Sequence, residues 1–131
     1  MERIVKTRSF QDQEREYWIQ AEVLVCGRDI CIVISGGDQP HIGAVALAFV
    51  AESHSHHQRW SATPSVIAVP GHKEYQLALA AAEQLSKILK RTVVVSVGIH
   101  IDGISPELIN KVEVEVQLLV ADLAESIPEL E

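Results

Sequence analysis

The sequence is poor in the residues that define most specialised classes of small protein. It holds only 2 cysteines in 131 residues and no CxxC pair, so neither a disulfide framework nor a thiolate-bound structural metal is expected to hold it together. Aromatic residues make up 5% of the chain, which leaves only Phe10, Tyr17, Trp18, Phe49, Trp60 and Tyr75 to stack on an extended ring system. Basic residues number 11 against 18 acidic ones, for a net charge of −7, so the counterion release that drives binding to nucleic acid is missing and no nucleic-acid partner is expected. Long uncharged apolar runs are absent too, as is a basic leader with an apolar core and a small-residue cleavage site. The expected setting is therefore cytoplasmic, without a membrane partner.

What is present is apolar and evenly mixed. Val, Ile, Leu and Ala dominate a composition that is 47% hydrophobic, with charge spread along the chain and no low-complexity tract. That describes an ordered single domain over 1–131, ordered up to its termini, with enough chain to bury a core unaided.

Periodicity gives the elements. Tyr17, Ile19, Ala21, Val23 and Val25 alternate with Trp18, Gln20, Glu22 and Leu24, the two-residue period of a half-buried strand. Beyond the Gly27-Arg28-Asp29 turn, Ile30 to Ile34 is apolar on both faces and should pair back antiparallel as a central strand. Cys26 and Cys31 flank that turn and read as reduced packing residues. From Ile42 to Val50 one side is Ala44, Ala46 and Ala48, a surface that a helix or a second subunit can approach closely. A short strand over Ser65–Val69 follows.

The next segment predicts a helix from Leu77, Ala80, Ala81, Leu85, Ile88 and Leu89, with Glu74 at its start and Lys87, Lys90 and Arg91 at its end to suit the dipole. Thr92–Val97 reads as a buried strand. Lys111–Val116 alternates like a strand, but Ser105-Pro106-Glu107 is a helix start and Ile109, Val112, Val116, Leu119, Val120 and Leu123 form a helical stripe, so the longer pattern decides for a helix. The expected fold class is α+β, a mainly antiparallel sheet flanked by two helices.

Chemistry concentrates at three turns. In Gly36-Gly37-Asp38-Gln39-Pro40-His41-Ile42-Gly43 the glycines free the backbone to approach a ligand, although no Gly-Lys-Ser/Thr follows and no helix starts there, so neither a P-loop nor a dinucleotide fingerprint is present. Pro70-Gly71-His72-Lys73-Glu74 hands a strand over to a helix, whose N-terminal amides, with Lys73, suit a phosphate or carboxylate. In Gly98-Ile99-His100-Ile101-Asp102-Gly103, residues two apart in extended chain share a face, so Asp102 can fix the tautomer of His100 or join it on a metal. His54, His56 and His57 form a separate polar cluster with Glu52 nearby, which reads as solvated loop or as a weak chelate.

Taken together, Gly37–Gly43, Pro70–Glu74 and Gly98–Asp102 resemble the LpdD-type family, in a likeness that runs from about Trp18 to Val120. Its members are encoded beside UbiD-type decarboxylases such as gallate decarboxylase. The resemblance implies a fold similar to proteasome assembly chaperones, a sheet flanked by helices that usually dimerises. It also implies a maturation chaperone for prenylated flavin mononucleotide (prenylated FMN), the cofactor of UbiD-type decarboxylases.

On that footing Gly71, His72 and Lys73 are expected to hold the flavin phosphate, with Gly36 and Gly37 approaching its rings. His41, His72, His100 and Asp102 would bind a divalent or ferric metal ion or move protons, with His100 and Asp102 the candidates for any catalysis. The scarcity of aromatics suggests a ligand held between subunits or only transiently. Two other functions fit the same residues. One is a metal-dependent hydrolase or lyase using the His/Asp set. The other is a structural assembly chaperone without cofactor, joined through the alanine strand and acidic helices.

Overall fold

Strand structure begins earlier than the sequence pattern suggests. A computed structural model describes residues 3–52, 60–70 and 74–130, and its first element is β1 (Arg3–Asp12), a strand for which the apolar pattern gave no sign. β1 turns Ile4 and Phe10 inward onto the core, and between them, in register with Ala21 and Ile19, Lys6 and Arg8. Arg8 Nε reaches Glu115 Oε2 at 2.8 Å and Lys6 lies 4.0 Å from Asp122, so acids of the covering helix replace the usual apolar contacts. Inward-pointing charges on an edge strand also discourage pairing with a further strand.

The other strands are β2 (Arg15–Cys26), β3 (Asp29–Gly37), β4 (Ala44–Glu52), β5 (Trp60–Ala68) and β6 (Val93–His100); the helices are α1 (Tyr75–Leu89), between β5 and β6, and α2 (Pro106–Ser126), followed by a 3₁₀ turn, Ile127–Leu130. β5 starts at Trp60 rather than Ser65 because Pro64, with no N–H to give, is tolerated on an edge strand.

The six strands form one sheet in the order β1-β2-β3-β6-β4-β5. Every neighbouring pair is antiparallel but one, β3 and β6, which run parallel, so the sheet is mainly antiparallel as expected. The exception comes from α1, which carries the chain from the β5 edge back over the sheet and drops β6 into the slot between β3 and β4.

Both helices cover the same face. α1 packs on β4, β5 and β6, and α2 on β1 and β2, sealing Ile19, Val23, Ile32 and Val95 of the sheet against Leu85 of α1 and Leu119 of α2. Ser105 Oγ accepts a hydrogen bond from the Leu108 N–H and Pro106 occupies the first turn, which starts α2 firmly enough to override the alternation at Lys111–Val116.

The alanine strand meets a helix and not a second subunit. Ala44, Ala46 and Ala48 are fully buried opposite Ala78 and Ala82 of α1, so small residues on both sides let helix and sheet approach. The interface expected of that face in the purely structural reading is thereby corrected. Among the described residues no helix lies on the opposite side of the sheet, and there Leu47 is 43%, Phe49 47% and Ile67 81% exposed, alongside Trp18, Leu24 and Val33. Among the described residues no helix is long and apolar enough to cross a membrane. Cys26 is exposed and Cys31 half-buried, both as free thiols.

Candidate functional site

Because β3 and β6 are parallel, their C-terminal ends lie side by side, with Gly37 in register with His100. The 38–43 loop then folds across the end of β6. The Asp38 and Gln39 amides donate to the His100 carbonyl at 2.6 and 3.3 Å, His41 N–H to Gly98 O at 3.3 Å, and Gly43 N–H to Val97 O at 3.0 Å. Two glycines permit this crossing. Gly37 has φ +77°, in the left-handed region, and a Cβ on Gly98 would stand 1.6 Å from the His41 carbonyl oxygen.

The crossing brings His41 and His100 together, ring centroids 6.2 Å apart and edge to face. His41 Nδ1 lies 3.0 Å from the Gln39 carbonyl, and Nε2 lies 3.0 Å from Glu74 Oε1 at the start of α1. Both ring nitrogens thus face oxygen. Carbonyl and carboxylate are both acceptors, so either ring nitrogen can donate to the oxygen it faces, and the tautomer decides which one does. Glu74 occupies the N-cap position yet makes no capping bond, since its carboxylate turns to His41; the expected dipole role is replaced, and at the other end Lys87 alone lies in the last turn while Lys90 caps it in the left-handed region.

The second pair is His100 with Asp102, Nε2 to Oδ1 at 2.9 Å. If the carboxylate accepts from Nε2–H, the neutral ring carries its lone pair on Nδ1, which has no hydrogen-bond partner among the described residues. Asp102 is held in turn. Its N–H donates to Asp38 Oδ2 at 2.9 Å, and the other Asp38 oxygen accepts from the Arg15 guanidinium. The Arg15 hydrogen bond first, and the Asp102 amide second, hold the Asp38 carboxyl below its ordinary value, while the same contact raises Arg15.

Of the expected site residues, His41, His100, Asp102, Gly36 and Gly37 meet at this end of the sheet. Gly36 and Gly37 are packed tightly on backbone, of Trp18 and Ile19 for the first and of His100 for the second. Gly71, His72 and Lys73, and His54, His56 and His57, lie outside the described residues. Among those described, no group of three or more His, Cys, Asp or Glu side chains is disposed to hold a metal ion. Three contributors had no clear signal in the sequence: Glu74 read as a dipole residue, Asp38 as a turn residue, and Arg15 reaches its partner from another strand, 23 positions away.

Beside the pairs, a cleft of about 600 Å³ opens between the N-terminal halves of α1 and α2 over the end of β6. Leu77, Ile99, Ile104, Ile109 and Val112 give it an apolar lining, and Glu74, His100 and Glu113 are its ionisable groups. Two imidazoles steadied by carboxylates beside an apolar cleft can hold and pass protons and hydrogen-bond a heterocycle.

A six-stranded sheet with both helices on one face is the architecture of proteasome assembly chaperone subunits. The chain matches one from the crystal structure of a chaperone complex for yeast 20S proteasome assembly with a TM-score of 0.54, over 93% of this chain and 96% of that one. At 15% identity the match speaks to the fold alone. Residues 13–128 match the family described as the prenylated flavin chaperone LpdD-like domain, and the chain belongs to that family. It is 26% identical to Protein LpdD of Lactiplantibacillus plantarum over 102 residues, covering 74% of this chain and 68% of that protein. Membership sets the chain among accessory proteins of chaperone type.

Proposed function

We propose that the chain binds prenylated FMN as a client and helps to mature or deliver it to a UbiD-type decarboxylase in the cytoplasm. The observation that carries this reading is the facing of His41–Glu74 and His100–Asp102 at the mouth of an apolar cleft, in a chain of the prenylated flavin chaperone family. A flavin ring carries an edge of N–H and C=O groups on an otherwise apolar body, and imidazoles and carboxylates beside an aliphatic wall suit both parts. His100 and Asp102 form the proton-handling pair, with the Nδ1 lone pair of His100 as acceptor. The phosphate is assigned to Gly71, His72 and Lys73, which directly precede Glu74 in sequence.

The donor set favours protons over a metal. A divalent or ferric ion shared by His41, His72, His100 and Asp102 would have to draw His41 away from Gln39 or Glu74, both of which hold it at 3.0 Å.

The open sheet face supports a homodimer. Leu24, Val33, Leu47, Phe49 and Ile67 all lie exposed on that one face, and large apolar groups gathered on one side mark an interaction surface. Ser96, 6% exposed within that face, has a hydroxyl without a hydrogen-bond partner among the described residues. A second copy laid on the same face buries these apolar groups and can bring the hydroxyl an acceptor.

Anaerobic mixing with reduced prenylated FMN followed by gel filtration tests the client. Co-elution with the wild-type protein and loss from a folded His100→Ala variant are expected; passage of all the flavin in the small-molecule volume would refute the reading.

A further inference from the structure

The pairing of β3 with β6 continues for one step beyond the last residues of both strands, Gly37 and His100, and a side chain carries it. In a parallel ladder one residue donates its N–H to a carbonyl of the neighbouring strand and accepts, through its own C=O, from the N–H two residues further on. Asp38 follows Gly37, and its N–H donates to the His100 carbonyl at 2.6 Å. The N–H two residues further on belongs to Asp102, and it donates at 2.9 Å to Asp38 Oδ2, where the ladder would have a carbonyl. The carboxylate thus stands in for the main chain, an imitation of backbone that Asp side chains make at turns. The chain itself is left to turn into the 38–43 loop.

This substitution needs an acceptor with two oxygens. Asp38 Oδ1 accepts from the Arg15 guanidinium while Oδ2 takes the Asp102 amide, so each oxygen faces a donor. An asparagine could satisfy only one of the two, because its Nδ2 is itself a donor. Arg15 is held in its turn: its guanidinium carbon lies 4.4 Å from the centre of the Tyr17 ring, which stacks on Phe10 at 5.7 Å. Phe10 belongs to the core. One line of contacts therefore runs from the core beneath β1 and β2 to the end of β6.

At that end it meets the second histidine pair. The Asp102 carboxylate is 72% exposed, so packing does little to place it, yet it meets His100 Nε2 at 2.9 Å. Backbone sets its place, since Asp38 grips the chain on both sides of Ile101, by the His100 carbonyl and by the Asp102 amide. We propose that Asp38 is a positioning residue for His100, holding Asp102 on its Nε2 through a carboxylate that Arg15 orients. This rests on the reading of His100 and Asp102 as the proton-handling pair, and deepens it by naming what keeps the acceptor on Nδ1. With Asp102 held, the ring proton stays on Nε2 and the lone pair on Nδ1. With Asp102 released, the proton is shared between the two nitrogens.

The position of the His100 ring proton tests this. It is read by long-range proton–nitrogen NMR of the ligand-free protein, about two pH units above the ordinary imidazole value of about 6.5, where the ring is neutral. Wild type is expected to show Nε2–H, and Asp102→Ala the mixture of an unrestrained imidazole. Asp38→Ala should move His100 most of the way to the Asp102→Ala spectrum. Arg15→Met, which keeps an unbranched stem on Tyr17, should fall between them, as should Asp38→Asn, which keeps one acceptor. Retention of reduced prenylated FMN should fall in the same order. A role in folding alone would lower stability and leave the ring proton where it is, so folded Asp38→Ala and Arg15→Met proteins with the wild-type His100 spectrum overturn the proposal. Arg15 has a side chain 53% exposed, so its variant decides the matter should Asp38→Ala fail to fold. The spectra need no ligand and judge the positioning by themselves, while retention of prenylated FMN by the wild type judges the client reading.

Discussion

His41 and His100 face each other edge to face at 6.2 Å, each hydrogen-bonded through Nε2 to a carboxylate, Glu74 for one and Asp102 for the other. The four residues come from a loop, a helix start and the end of a strand. What aligns them is the parallel pairing of β3 with β6 and the loop that crosses it, so the predictions begin with that crossing.

Gly98→Ala places a methyl group on the His41 carbonyl, at a position where a Cβ would stand 1.6 Å from the oxygen. Backbone cannot yield as a side-chain tip does. A loss of at least about 1–3 kcal/mol is expected, read by urea unfolding, together with displacement of the His41 ring signals in NMR. A variant as stable as the wild type with unmoved His41 resonances would show that the loop does not lie where it is described.

Asp38 gives a pH dependence with a defined sign. Its carboxyl is held below the ordinary value of 3.8 by Arg15 and the Asp102 amide, and a group depressed in the folded state stabilises it above the unfolded value. That contribution is complete at neutral pH, falls once the pH drops below 3.8, and is gone below the depressed value. Wild type should therefore exceed Asp38→Asn in stability at pH 7, and the gap should close with acid. A gap that stays constant down through the acid range would contradict the pairing.

Ala46→Leu separates the two faces of β4. Ala46 is fully buried beneath α1, so overpacking should cost about 1–3 kcal/mol and leave the oligomeric state alone. Leu47→Glu with Phe49→Glu, on the open face, should do the reverse and yield a folded monomer by light scattering. A monomeric wild type, or a dimer that survives both glutamates, would remove the open face as the interface.

Much of this was legible in the sequence, and the exceptions share a cause. The alternation at Tyr17–Val25, the stripe through Leu119 and Leu123, and the His100–Asp102 spacing are local patterns, and the structure keeps each of them. β1 was hidden because Lys6 and Arg8 interrupt its inward row between Ile4 and Phe10, turned to acids more than a hundred residues away that no local period reveals. The same holds for the parallel β3–β6 pair and for Glu74 and Arg15, whose roles depend on partners brought by topology. The alanine strand showed that something packs closely on it, and only the tertiary arrangement chose α1.

The central claim is that the facing His–carboxylate pairs serve a flavin client on its way to a decarboxylase. Its most direct measurement is the activity recovered by an apo form of a UbiD-type decarboxylase given reduced prenylated FMN with the wild-type chain, with folded His100→Ala, or with neither. The account predicts more active enzyme with the wild type than with no chain, and loss of most of that gain with His100→Ala. Equal recovery in all three would contradict it.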